Sequence, residues 1–63
     1  MEQKLKALLE HWIEHNEEHI QKYKEWAERL RGENPKISEL LDKAIEKFRE
    51  GGEILKEAYR SLE

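Results

Sequence analysis

Apolar side chains recur along this chain at steps of three and four residues, from Leu5 to Leu62, which is the spacing of a helix face. The pattern is interrupted once, at Gly32-Glu33-Asn34-Pro35. There a glycine follows a last turn carrying Arg29 and Arg31, the signature of a helix C-terminus, and Asn34 before Pro35 suits an N-cap and a first helical position. The pattern predicts an all-α chain forming one domain over residues 1–63. Its helices should run from about residue 3 to about 31 and from about 35 to about 62, joined by a turn at about 32–34.

In the second helix, Ile37, Leu41, Ala44, Phe48, Gly51, Leu55, Ala58 and Leu62 alternate steps of four and three. This spacing marks a packing seam. The seam keeps its phase through Gly51-Gly52, which predicts one continuous helix although each glycine costs up to about 1 kcal/mol. Leu5, Leu8, Trp12, His15, His19, Tyr23, Trp26 and Leu30 form a matching seam in the first helix. A short turn makes the helices antiparallel, so facing residues should keep one constant sum of residue numbers. Leu30 with Ile37, Tyr23 with Ala44, His19 with Phe48, and Leu5 with Leu62 do so. His15 is then expected opposite Gly51, which either leaves room for imidazoles and an ion or lets the helices approach closely.

Each helix has more apolar surface than one partner can cover. Leu9, Ile13, Ile20 and Ala27 lie beside the first seam, and Leu40, Ile45, Ile54 and Tyr59 beside the second. A second stripe of this kind marks an interface. The antiparallel hairpin is therefore expected to form a homodimer, a four-helix bundle with a two-fold axis.

Composition narrows the partners. Charged residues make up 43% of the chain, 15 acidic against 12 basic, with signs interleaved as on a solvated helix surface. A net charge of -3 without a basic stripe excludes nucleic acid as an expected partner. No apolar run approaches a membrane span, and the stretch Met1-Glu2-Gln3-Lys4 is not the start of a signal peptide, so a cytoplasmic, membrane-free protein is expected. Disulfides are excluded because there is no cysteine. So short a chain then needs a metal or a partner to supplement its core.

All three histidines fall in one nonapeptide, His11-Trp12-Ile13-Glu14-His15-Asn16-Glu17-Glu18-His19. At four-residue intervals each lies ~40° around the helix and ~6 Å along it from the last. Neighbours one turn apart can chelate one ion, whereas all three, spread over ~12 Å, are not expected to bind one ion from one straight helix, which leaves His11 as a third or bridging ligand. The expected site uses His11 with His15 or His15 with His19, and Glu14 and Glu18 supply oxygens or orient the rings. Two such pairs about a two-fold axis would give either a four-histidine site or two separate sites. A helical wheel places His19 and Asn16 within the apolar arc, His15 on its edge and His11 outside. An inward Asn16 must ligate or hydrogen-bond, or else fix helix register. Imidazole with carboxylate suits Zn, Ni, Co or Cu(II). The rival reading is a metal-free interaction module, in which imidazoles gathered in an interface would loosen it in mild acid.

Catalysis is not indicated. His11-x-x-Glu14-His15 and His15-x-x-Glu18-His19 both spell the inverted zinc-protease signature, but the overlapping copies follow automatically from the four-residue repeat. Such proteases also need a cleft-forming fold beyond the reach of 63 residues. The Glu-x-x-His pattern of di-iron carboxylate bundles is absent, and Ser38 and Ser61 are remote from the histidines.

The stretch Leu8-Leu9-Glu10-His11-Trp12-Ile13-Glu14-His15-Asn16-Glu17-Glu18-His19, followed by Trp26-Ala27-Glu28, resembles small uncharacterised helical-hairpin proteins of anaerobic prokaryotes with an H-W-x-x-H-N-x-x-H core. The resemblance covers the first helix; the second is similar only in length and character. It implies a hairpin that handles nickel or another transition metal; a delivery role would add a metal-delivery partner of unknown identity. The Glu/Lys-rich composition is also that of idealised helical proteins, whether designed or thermophilic.

Overall fold

The computed structural model describes residues 2–62. It contains two helices, α1 (Glu2–Leu30) and α2 (Pro35–Ser61), packed along their lengths as a hairpin measuring 48 × 14 × 11 Å. Leu, Ala, Glu, Lys and Arg, all strong helix formers, fill most positions. Asn34 starts α2 as the sequence suggests: its Oδ1 accepts from Ile37 N at 3.3 Å, with Pro35 in the first turn. The end of α1 differs from expectation. No described glycine has a positive φ, so Gly32 is not a left-handed cap. The Asn34 amide instead closes the turn by donating to Leu30 O at 2.7 Å.

The helices meet along a stripe adjacent to the expected one. Leu9 and Ala27 of α1 and Ile45 of α2 are buried, as are Ser38 and Gly52. Ile13, Asn16, Ile20, Tyr23 and Leu30 are half-buried on α1, with Leu41, Leu55 and Tyr59 on α2 and Leu62 just beyond it. Of the α1 seam read from sequence, only Tyr23 and Leu30 enter this contact. Leu5, Leu8, Trp12 and Trp26 are exposed, and so are His15 and His19. On α2, Ile37, Gly51 and Ala58 are likewise exposed. The reason is size. Interaxial distance depends on the side chains at the contact, and Ala27, Ser38 and Gly52 allow an approach that Trp12 and Trp26 would block.

Polar ties set the register. The Asn16 amide Nδ2 donates to Phe48 O at 2.9 Å, and a Cβ added to Gly52 would lie 2.7 Å from that nitrogen. Tyr59 OH donates to Glu10 Oε1 at 2.6 Å, and Lys56 Nζ lies 3.3 Å from Glu17 Oε1. Near the turn, Ser38 Oγ donates to Ala27 O at 2.6 Å. Ala27 is in the last turn of α1, where carbonyls lack helical partners, so Ser38 caps one helix from the other. Ser38→Ala is expected to lower the unfolding free energy by about 1 kcal/mol, read by urea denaturation at unchanged m-value.

Candidate metal centre

The three histidines project from one exposed face of α1 as a continuous ladder. His11 and His15 stack with ring centroids 5.5 Å apart and planes 17° from parallel. His15 and His19 meet edge-on, with centroids 4.8 Å apart and an interplanar angle of 86°. The ladder continues through Tyr23, 5.9 Å from His19, to Phe48 of α2, 5.3 Å from Tyr23. These distances follow from the four-residue repeat, which sets each ring one turn above the last.

Glu18 is the carboxylate that joins them. Its Oε1 lies 3.2 Å from His15 Nδ1, one turn apart on the same face. A Nδ1–H donated to that oxygen leaves Nε2 as the bare nitrogen, the arrangement in which a carboxylate orients a ligating imidazole. Tyr23 OH lies 3.5 Å from His19 Nδ1, at the outer limit of a hydrogen bond. His15, Glu18 and His19, with Gln21 and Lys22, line an open depression of about 400 Å³. Gln21 and Lys22 were not singled out from the sequence, although Lys22 lies three residues beyond His19 on the helix.

Two expected members stand apart. Asn16 turns into the helix contact, where its amide is held by Phe48 O, and it is the register pin rather than a neighbour of the rings. Glu14 lines a different depression, with Glu10, Ile13 and Tyr59. Burial also differs from the helical wheel. His19 is exposed, not inside the apolar arc, and the His15 side chain is 59% exposed. Gly51 has nothing within 4 Å of an added Cβ, so it does not face His15; the close glycine is Gly52, against Asn16. Both shifts follow from the rotation of α1 that places Leu9 and Ile13 inside.

Among the described residues, no three His, Cys, Asp or Glu side chains converge where one ion could be held. The imidazoles in contact are two pairs, His11 with His15 and His15 with His19. Four-coordinate zinc needs two more ligands, from water or another chain.

Comparison with known proteins places the chain without assigning it a chemistry. No described helix is long and apolar enough to cross a membrane, and no solved structure matches the sequence. An uncharacterized protein of Archaeoglobus fulgidus is 45% identical over 56 residues, spanning 89% of this chain and 90% of that one. The relationship therefore extends through both helices, where the motif resemblance covered only the first. Residues 5–62 match the family described as Domain of unknown function (DUF8180), and the chain belongs to it.

Proposed function

We propose that this protein binds a divalent transition-metal ion through the His11-His15-His19 face. His15 and His19 are the principal ligands, His11 is a third or bridging one, and Glu18 orients His15. The observation that supports this reading is the ladder itself: three imidazoles in ring contact on an exposed helix face, one of them anchored by a carboxylate. Nitrogen with carboxylate oxygen suits Zn, Ni, Co or Cu(II). The role is storage, delivery or sensing in the cytoplasm, not catalysis, and the working form is a homodimeric four-helix bundle.

Metal that binds the folded chain stabilises it by RT ln(1 + [L]/Kd), about 2.7 kcal/mol at a hundredfold excess over Kd. For a domain of this size the melting point should rise by roughly 10–20 °C with zinc or nickel and return with chelator. A melting point indifferent to both would overturn the proposal. The rival is a metal-free interaction module, favoured by the exposure of Trp12, Trp26 and Ile54, at 44%, 52% and 65%. In that case His15→Ala leaves partner binding intact, while Trp12→Ala or Ile54→Asp abolishes it.

A further inference from the structure

We infer that a second copy of this chain seats antiparallel on the face carrying the histidine ladder, so that His15 and His19 of both copies close one four-imidazole site on a two-fold axis. The inference rests on the metal-binding reading and adds to it the partner that completes the site. Among the described residues no three donors gather for one ion, but the His15 and His19 rings are in contact, and a two-fold axis beside them doubles that pair to the four donors a tetrahedral ion requires.

The exposed stripes of the two helices lie on the same broad side of the hairpin. Ring contacts run from His19 through Tyr23 to Phe48, so the ladder shares its side with the exposed Phe48 of α2. Helical hand gives the same result: on antiparallel helices, stripes displaced in one sense from their seams emerge on one face.

This face is self-complementary under one axis perpendicular to the helices. On α1 the axis passes beside residue 17, from which His15 and His19 are two residues away on either side, and Leu8 and Trp26 nine. An antiparallel copy thus brings Leu8 level with the second copy's Trp26, and His15 level with the second copy's His19. On α2 the centre is Gly51, with Phe48 and Ile54 three residues away and Ala44 and Ala58 seven. Because Asn16 touches Gly52 across the hairpin, the two centres stand at the same height, and a single axis serves both. Gly51 is exposed with nothing within 4 Å of an added Cβ, so the hairpin itself gives it no role. On the axis it faces its own copy, where a large side chain would hold the two α2 helices apart.

A second copy is the occupant that this symmetry specifies, and the hairpin needs one. Its core is Leu9, Ala27 and Ile45, with no large side chain fully buried among the described residues. Trp12, Trp26 and Phe48, each about half exposed, would together bury roughly 400–700 Å² over two copies. The exposed leucines and isoleucines bring the area toward the roughly 1,200–2,000 Å² of a stable interface.

The test uses the full chain. Its mass in solution is measured with and without zinc, together with zinc content, and single cysteines are introduced into a protein that has none. The arrangement predicts a dimer holding one zinc per two chains, with dimer dissociation weakened at least about tenfold by zinc, as linkage between binding and assembly requires. It also predicts that Gly51→Cys oxidises to a covalent dimer at least about tenfold faster than Glu53→Cys, which lies on the opposite face beside Glu17 and Arg49. Circular dichroism of both variants checks that they remain helical. A monomer that binds one zinc leaves the metal-binding reading standing and overturns this arrangement. A dimer that cross-links at Gly51 but takes up no zinc overturns the metal reading and the four-imidazole site together. A monomer that partitions onto neutral phospholipid vesicles overturns the choice of occupant.

Discussion

Alanine at Gly51 and alanine at Gly52 are expected to move stability in opposite directions, although the two residues are neighbours within one unbroken helix. Replacing a mid-helix glycine by alanine removes backbone freedom from the unfolded chain and gains about 1 kcal/mol where the new methyl meets nothing. Within the hairpin Gly51 is such a position, with open space beyond an added Cβ, and a methyl is small enough to leave the dimer contact in place. At Gly52 the methyl would lie 2.7 Å from Asn16 Nδ2, too close to be accommodated in place. Asn16 must swing away and release its bond to Phe48 O, leaving a half-buried amide without its partner at a cost of about 1–3 kcal/mol. The helix-propensity gain is then cancelled or exceeded, and the two variants should differ by about 1–3 kcal/mol in urea or thermal unfolding. For a chain this small, that is a large share of its whole stability. Adding Asn16→Ala to Gly52→Ala should restore part of the loss, because the two changes touch one contact and cannot be additive. Equal gains from both single substitutions would show that the helices do not close at this pair.

Removing the central ligand pair is the second large effect. His15→Ala with His19→Ala is expected to weaken zinc or nickel binding at least about a hundredfold by calorimetric titration, since no other pair of imidazoles remains. Both rings are exposed, so helicity should be unchanged. Glu18→Gln keeps the shape of the side chain but weakens the acceptor for His15 Nδ1, and an effect of about tenfold is expected. His11→Ala should cost less than either partner change, because His15 and His19 remain in contact without it. Equal losses from all three single histidine variants would point to adventitious surface binding and away from a site built on one pair.

Much of this fold is carried by local patterns. Asn34-Pro35 starts α2 because the side-chain oxygen and the fixed proline φ act within one turn, whatever the rest of the chain does. The ladder is equally local: a four-residue repeat on a helix stacks its rings one turn apart, and Glu18 reaches His15 for the same reason. The inward direction of Asn16 also follows from its place on the helical wheel. The helix contact is different in kind. Each helix has two stripes with the same period, so periodicity does not say which one closes against the other. The choice depends on the distance to which two surfaces can approach, a property of residues far apart in sequence. Ala27 against Ser38 and Asn16 against Gly52 permit the closer approach. Trp12, Trp26 and the histidines are consequently turned outward onto the face left open. The sequence by itself thus determines two helices, the start of α2 and the spacing of the imidazoles. Only the tertiary structure decides that the imidazoles lie outside the hairpin and that Gly52, not Gly51, packs against α1, because small side chains there set how near the helices come.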